Sequence, residues 1–166
     1  FQKTGSFKPR GALNRLRNTP QADLERGLIT ISAGNHAMGL AWAARQVGAA
    51  CTVVMPANAS PMKAAAARGY GAEVVLHGSM TEAFPYMAAL QRERNLTLIH
   101  PFDDPLIIAG QGTVGLEILE QVPEVDVSVV GVGGGGLSSG IARAAKTLKP
   151  GVRVYGVEPV GASAMR

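Results

Sequence analysis

Short apolar runs alternate with longer amphipathic stretches along most of the chain. Runs rich in β-branched residues predict strands at 29–32, 51–55, 73–76, 96–99, 125–132 and 152–157. The stretches between them predict helices at 36–47, 60–68, 81–94, 106–120 and 137–148. Strands that alternate with helices of this length indicate an α/β fold with parallel sheets flanked by helices.

Several details follow from individual residues in this pattern. Ser60 is a plausible N-cap for a helix that opens with Pro61, and Pro85 is expected in the first turn of its helix. The run at 125–132 is apolar enough for a strand buried on both faces. Cys51 lies inside an apolar strand, so we expect a buried, inert thiol.

Composition narrows the class of protein. The 166 residues are 46% hydrophobic and 17% charged, which is typical of a globular domain, and only 5% are aromatic, which argues against a nucleic-acid stacking platform. The single cysteine excludes an intrachain disulfide and a cysteine-based zinc site. The sequence has neither a membrane-spanning apolar stretch nor a secretory signal, so we expect a cytoplasmic protein without a membrane partner. Because the chain opens at Phe1 without methionine, we expect a piece of a longer protein.

Basic residues are concentrated at the start of the chain. Five of them precede the first acidic residue, Asp23, and these are Lys3, Lys8, Arg10, Arg15 and Arg17. Such a run could serve a phosphate group, but charge alone favours a solvated helix face.

Four consecutive glycines join the fifth predicted strand to its helix. Glycines at such a junction let backbone N–H groups approach an anion at a helix N-terminus. A tight turn would need only one or two of them, so a phosphate site is favoured, at Gly133, Gly134, Gly135, Gly136 and Leu137. The Walker A lysine does not follow, and a dinucleotide fingerprint read from Gly131 is a weak match with only Glu158 as a possible acid.

A second turn of this kind follows the first predicted strand. Residues 32–37 read Ser-Ala-Gly-Asn-His-Ala and open onto a helix, so their N–H groups could hold a carboxylate. The amide of Asn35 could contact a ring oxygen. The residues alone leave a plain turn and a binding loop equally open, and His36 by itself is more typical of a packing residue.

A third segment favours a binding role for both turns. Residues 6–12 read Ser-Phe-Lys-Pro-Arg-Gly-Ala and resemble the lysine motif of the threonine/serine dehydratases. A lone lysine beside proline would otherwise be read as a surface charge. Segments of that family are also similar, in the same order, to residues 32–37, 100–105 with 109–113, 133–137 and 156–159. The chain therefore resembles the fold-type II pyridoxal 5′-phosphate (PLP) enzymes, whose architecture is similar to the tryptophan synthase β-subunit.

The resemblance implies roles for individual residues. It implies that Lys8 forms the Schiff base with PLP, that Phe7 packs on the cofactor ring and that Asn35 contacts its 3′-oxygen. The substrate carboxylate would be received by Ser32, Ala33, Gly34, Asn35 and His36. The cofactor phosphate would be held by Gly133, Gly134, Gly135, Gly136 and Leu137.

The resemblance also implies a reaction. Lys8 would remove the Cα proton of L-threonine or L-serine, the β-hydroxyl would leave, and a 2-oxo acid and ammonia would be released. Serine racemases resemble Ser-Ser-Gly-Asn-His at the loop, where this chain has Ala33 in place of the second serine, which favours elimination over racemisation. Racemisation, β-replacement and a fragment that does not bind PLP alone are the alternatives.

Further expectations concern metals, domains and partners. Some relatives bind a divalent ion through a glutamate and an aspartate six positions on; Glu158 fits the first, but the second falls at Ala164, so no metal site is predicted. The resemblance implies a large domain from residues 1–27 and 106–166 and a small mobile domain from 28–105. It implies a small-molecule amino-acid substrate and a homo-oligomer, and no nucleic-acid partner is expected.

Overall fold

The computed structural model describes residues 3–165 and divides into two compact units, Phe1–Pro101 and Phe102–Arg166. Helices and parallel strands alternate in both units, so the predicted α/β class is confirmed. Among the described residues, no helix is long and apolar enough to cross a membrane.

The first unit contains a four-stranded parallel sheet with the strand order β3-β2-β1-β4. Its strands are β1 (Leu28–Ile31), β2 (Cys51–Met55), β3 (Glu73–Leu76) and β4 (Thr97–Leu98). Its helices are α1 (Lys8–Arg17), α2 (Gln21–Glu25), α3 (Asn35–Val47), α4 (Pro61–Gly69) and α5 (Met80–Glu93). All four strands lie inside the stretch 28–105 that was expected to form a small domain, and the bounds of that domain stay a prediction.

The two central strands form the core of the first unit. Every residue of β1 and β2 is buried, because each has a strand on both sides and helices on the faces of the sheet. Strand residues Ile29, Ile31 and Val54 pack with Met87 and Leu90 of α5. Helix α3 contacts the same two strands. The end of β1, where the Ser32 turn begins, is therefore rigidly placed.

The expected local details are partly confirmed. Pro61 opens α4 after Ser60, although the Ser60 side chain makes no capping hydrogen bond. Cys51 is buried, and desolvation raises the pKa of its thiol to about 12, which agrees with an inert cysteine. The predicted position of Pro85 in the first turn was wrong: Pro85 is the sixth residue of α5, in the second turn, and a capping box at Ser79 starts that helix one residue earlier than predicted.

The second unit contains two parallel strands and two helices. These are α6 (Pro105–Gln121), β5 (Val127–Gly131), α7 (Gly136–Leu148) and β6 (Arg153–Val157). The expectation that β5 is buried on both faces is wrong, since only Val130 is buried and Val129 is 66% exposed. The reason is that α7 packs on this two-stranded sheet while the side bearing Val129 and its register partner Tyr155 has no cover within the described chain.

Helices α6 and α7 approach each other closely through glycines. A Cβ atom at Gly140 would lie 2.5 Å from the Ile108 carbonyl oxygen and 2.6 Å from the Gly112 nitrogen. A Cβ atom at Gly115 would lie 3.0 Å from the Ile141 carbonyl oxygen. The backbones of the two helices are thus in contact, and α7 carries the glycine loop at its N-terminus.

Candidate active site

Lys8 lies at the start of α1, against helix α3. A Cβ atom at Gly39 of α3 would be only 2.9 Å from the Lys8 Cβ, so a glycine is needed there for the two helices to meet. The Lys8 side chain is partly buried and its Nζ donates a hydrogen bond of 2.6 Å to the Pro101 carbonyl. Burial lowers the pKa of the Lys8 amine from its ordinary value. Lys8 is therefore not the solvated surface charge that a lone lysine would suggest.

The turn that precedes Lys8 has an unusual backbone. Thr4 and Gly5 both have positive φ, at 66° and 68°, and for threonine this conformation is rare. The Thr4 and Ser6 hydroxyl oxygens are buried and have no hydrogen-bond partner among the described residues. Strained backbone and unpaired buried hydroxyls together are typical of a ligand site.

The aromatic ring of Phe7 lies beside the same amine. The Lys8 Nζ is 5.3 Å from the ring centroid, which is within the range of a cation–π contact. Phe7 also stands directly before the first helical residue of α1. The lysine and its neighbouring aromatic residue therefore lie side by side, and the packing of Phe7 on a cofactor ring stays a prediction.

The Ser32 turn joins β1 to α3 in the same unit. The Ser32 Oγ accepts a hydrogen bond of 3.2 Å from the Gly34 N–H, which shapes the turn. The N–H groups of Asn35, His36 and Ala37 begin α3 and have no acceptor within residues 3–165. Helix α3 thus presents unpaired donors and the positive end of its dipole, as expected for a carboxylate site.

His36 connects this turn to Lys8. Its side chain is 3% exposed, and neither ring nitrogen has a hydrogen-bond partner of good geometry in the described chain. Desolvation, followed by the charge of Lys8, lowers the pKa of His36 to about 3, although the nearby Ile99 carbonyl acts in the opposite direction. The imidazole is therefore neutral, and the structure brings Lys8 and the start of α3 together.

The glycine loop lies in the second unit, between β5 and α7. Gly135 has φ of +82° and precedes the first residue of α7, Gly136. The Phe102 ring lies where a Cβ atom at Gly134 would be, and a Cβ at Gly136 would lie 3.0 Å from the Phe102 carbonyl oxygen. Both glycines are therefore required, and the N–H groups that begin α7 suit a phosphate.

The Glu158 carboxylate, the possible metal ligand, is engaged with backbone N–H groups. It accepts hydrogen bonds from the N–H groups of Ala164 and Met165, at 2.6 Å and 2.9 Å. In the described part of the chain, no group of three or more His, Cys, Asp or Glu side chains could hold a metal ion. The Glu158 carboxylate instead closes a turn of the backbone.

The sequence reasoning gave no role to several residues that shape these sites. Gly39 and Pro101 position Lys8, and Phe102 packs on the glycine loop. Lys63 of α4 reaches Gly34 in the Ser32 turn, with its Nζ 2.9 Å from the position of a Gly34 Cβ. Only Gly39 had a signal in the sequence that could have revealed its role, because it is a glycine inside the apolar pattern of α3.

The residues present fit PLP. A partly buried amine of lowered pKa suits imine formation with an aldehyde, and unpaired hydroxyls and N–H groups suit a polar ring. The glycine loop, which a side chain would fill, suits a phosphate. A PLP-binding role for Lys8 and Asn35 in the first unit, and for Gly133–Leu137 in the second, stays a prediction.

Known proteins are similar to this chain over nearly all of its length. L-threonine ammonia-lyase of Geobacter sulfurreducens is 50% identical over 163 residues, which are 98% of this chain and 40% of that protein. The structure of processed threonine deaminase isoform 2 from Solanum lycopersicum matches with a TM-score of 0.94 and 42% identity, over 99% of this chain and 48% of that one.

Maize serine racemase is similarly close, with a TM-score of 0.94 and 41% identity over 97% of this chain and 49% of that one. The chain thus spans about 40% of the first of these relatives and about half of the two solved chains. The family model for pyridoxal-phosphate dependent enzymes matches residues 1–166. The chain belongs to the family of pyridoxal-phosphate dependent enzymes.

Proposed function

We propose that the full-length protein converts L-threonine or L-serine into a 2-oxo acid and ammonia with PLP as cofactor. The observation that carries this proposal is the partly buried Lys8 amine beside the unpaired N–H groups of α3. The 50% identity to an L-threonine ammonia-lyase supports the choice of reaction.

Lys8 has two tasks in this proposal. Its amine would hold the cofactor, and in its free form the same amine would take the Cα proton of the bound substrate. Burial lowers its pKa, so a larger fraction is unprotonated and able to act as a base. When bound, PLP supplies the ring that withdraws the electron pair released at Cα.

The other residues bind and orient. The N–H groups at the start of α3 would receive the substrate carboxylate, and Asn35 would contact the cofactor ring. Phe7 would pack on that ring, and the loop Gly133–Leu137 would hold the phosphate. The neutral, buried His36 excludes water beside Lys8 without adding a charge.

Ala33 supports elimination as the main outcome. A racemase needs a second acid/base group on the other side of the Cα atom, and a methyl group cannot carry a proton. The proposal includes the predicted homo-oligomer and a small mobile domain of residues 28–105, which rest on the resemblance. It also includes the cytoplasmic location that the sequence pattern led us to expect.

The first experiment is an absorbance spectrum of the full-length protein with PLP, before and after borohydride reduction. We expect a visible band that borohydride attaches covalently to the chain, and that is lost in Lys8→Ala and kept in the control Lys3→Ala. Lys3 is an exposed lysine five positions earlier. Release of 2-oxo acid from L-threonine and L-serine then tests the reaction.

Two results would contradict the proposal. If Lys8→Ala keeps a band that borohydride fixes to the chain, another lysine holds the cofactor. If the loaded protein forms D-serine faster than 2-oxo acid, the reaction is racemisation despite Ala33.

A further inference from the structure

The chain leaves the first sheet just before the carbonyl group that contacts Lys8. Where β4 pairs with β1, alternate N–H groups of the later strand donate to carbonyls of the earlier one, and the last such bond, of 2.9 Å, runs from Ile99 to Ile29. The next donor in this alternation would be residue 101, which is a proline and has no N–H. The backbone ladder therefore ends two residues before the Pro101 carbonyl.

A side-chain hydrogen bond continues the connection where the ladder ends. The Thr30 hydroxyl of β1 donates a hydrogen bond of 2.8 Å to the Ile99 carbonyl oxygen, and both residues are fully buried. Valine has nearly the same shape and suits a central strand, but it could not make this bond. The Thr30 hydroxyl thus fixes the peptide group that leads from β4 towards Pro101.

The far end of this short segment, residues 99–101, reaches the amine of the candidate active site. The Lys8 Nζ donates a hydrogen bond of 2.6 Å to the Pro101 carbonyl oxygen. The buried His36 ring lies beside both Lys8 and the Ile99 carbonyl, so the two hydrogen bonds belong to one part of the first unit. The segment 99–101 therefore connects the interior of the sheet to the Lys8 amine.

The place of the Pro101 carbonyl decides the direction of the Lys8 lone pair. A neutral lysine amine has two N–H groups and one lone pair, and it sits on a flexible stem of four carbons. When one N–H is donated to a fixed carbonyl, the nitrogen can no longer rotate freely. An amine that removes a proton needs this restriction, because its lone pair must face the breaking C–H bond.

We propose that Thr30 is a positioning residue for Lys8, whose hydroxyl holds the segment 99–101 so that the Pro101 carbonyl orients the Lys8 amine for removal of the Cα proton. The inference rests on the proposed function and deepens it, because it adds a residue of the sheet interior to the control of the amine.

The rival explanation is that Thr30 only satisfies a buried carbonyl and so contributes to stability alone. Thr52 of the neighbouring strand β2 provides the comparison. It is the register partner of Ile29, it is also buried, and its hydroxyl donates a hydrogen bond of 3.0 Å to the Glu73 carboxylate. Thr52→Val therefore removes a hydroxyl hydrogen bond from the same sheet but leaves the segment 99–101 intact.

The first measurement uses the full-length, PLP-loaded protein and its variants Thr30→Val, Thr30→Ser and Thr52→Val. The kcat and KM for L-threonine are measured for each, the visible cofactor band verifies loading, and urea unfolding verifies the fold. Thr30→Ala, which also lacks the hydroxyl, replaces Thr30→Val if the valine variant does not fold.

We expect Thr30→Val to lower the kcat roughly tenfold, because a small displacement of a reacting group is costly. The KM should stay within about twofold, since the lost interaction acts on the amine and not on substrate binding. Thr30→Ser keeps the hydroxyl and should retain most of the kcat. Thr52→Val should retain all of it, with a shift of the urea midpoint similar to that of Thr30→Val.

The second measurement uses the same proteins without PLP. Lysine acetylation by acetic anhydride at pH 8 is followed by mass spectrometry, with the exposed Lys3 as internal reference. A hydrogen bond to a carbonyl favours the protonated amine, so its loss in Thr30→Val should speed acetylation of Lys8 about threefold or more relative to Lys3. Thr30→Ser and Thr52→Val should leave the ratio unchanged.

Several results would overturn the inference. An unchanged kcat or an unchanged acetylation of Lys8 in Thr30→Val would mean that the hydroxyl does not act on the amine. Equal losses of kcat in Thr30→Val and Thr52→Val would mean a general loosening of the sheet, and a loss in Thr30→Ser as large as in Thr30→Val would mean that the hydroxyl is unimportant. A wild-type protein that binds PLP but does not turn over L-threonine would instead overturn the proposed function, and the acetylation ratio would still decide whether Thr30 positions Lys8.

Discussion

Burial disfavours a positive charge on the Lys8 amine. Its side chain is partly buried, and the neighbouring His36 is buried and neutral, with its pKa lowered to about 3. Each positive charge would raise the cost of the other in this setting. Lys8 and His36 therefore lie close together with lowered pKa values, and this suits a nucleophilic Lys8 amine.

The neutral state of His36 has a consequence for stability. An unfolded histidine binds a proton below pH 6.5, whereas the folded one does so only near pH 3, so protons favour the unfolded chain between these values. Stability should be full above pH 6.5 and fall as the pH drops, by at most about 1.4 kcal/mol per pH unit from this residue.

Urea unfolding at pH 7.5 and pH 5.0 measures this effect. In His36→Asn the loss of stability between the two values should be smaller than in the wild type, whatever the stability at pH 7.5. His77→Asn is the control, because His77 is stacked on the Tyr86 ring rather than buried beside Lys8. An unchanged pH dependence in His36→Asn would contradict the argument.

Gly39 sets the distance between Lys8 and α3. In Gly39→Ala the new Cβ would lie 2.9 Å from the Lys8 Cβ and 3.1 Å from its carbonyl carbon, so α1 must shift. We expect a loss of about 1–3 kcal/mol in the free energy of unfolding and weaker retention of PLP.

Gly69→Ala is the matched control for that substitution. A Cβ atom at Gly69, the last residue of α4, would meet nothing within 4 Å, so this variant should be neutral or slightly more stable. Urea unfolding and the visible cofactor band report both effects. Equal behaviour of the two variants would show that the contact with α1 is unimportant.

For individual helices and strands, the period of the apolar pattern was sufficient to predict their bounds where packing is regular. Strands β2 and β3 agree residue for residue with the prediction, and the other strands differ at their ends. Helix α1 was not predicted as an element, because Pro9, Gly11 and several basic residues interrupt its apolar face. Its packing against α3 stabilises it, and that contact is remote in sequence.

The same limit explains the β5 error. An apolar run indicates that a strand is able to be buried, but it does not indicate which faces of the sheet are covered in a given chain. The site residues were found from motifs, whereas the contacts of Pro101 and Lys63 were not predicted, because a backbone carbonyl and a surface lysine carry no local signal. Their roles depend on contacts that only the folded chain makes.

The close pair of α6 and α7 gives a prediction at this scale. Gly140→Ala would place a Cβ within 2.6 Å of backbone atoms of α6, which cannot move aside as a side chain can. We expect a loss of about 1–3 kcal/mol in unfolding free energy. Gly151→Ala, at a loop glycine with nothing within 4 Å, should have little effect. Urea unfolding of both variants distinguishes them, and equal stability would contradict the helix contact.

For the whole molecule, the open face of the β5–β6 sheet is an exposed apolar surface made of several neighbouring side chains. Val129 and Tyr155 are register partners and are 66% and 51% exposed, and Val157 on the same face is 54% exposed. Contiguous apolar surface on a sheet promotes association. The chain spans about 40% of its first relative, so its behaviour alone is a separate question from that of the full-length protein.

We expect the 166-residue chain, prepared alone, to self-associate as its concentration rises. Val129→Lys should reduce this association, because it places a charge at the centre of the open face. Val160→Lys is the control, since Val160 is 91% exposed but lies outside the sheet. Sedimentation velocity at several concentrations measures the effect, and a monomer at every concentration would contradict it.

The hydrogen bond from Lys8 to Pro101 has one further consequence. An ammonium carries three protons, but a nitrogen joined to an aldehyde carbon retains one at most. Covalent attachment of the cofactor would therefore weaken or remove the hydrogen bond that the Lys8 Nζ donates to the carbonyl oxygen of Pro101, the last residue of the first unit. The carbonyl stretching vibration of Pro101, isolated by ¹³C labelling, should move to higher frequency on loading and would give a direct optical record of cofactor attachment from the polypeptide itself.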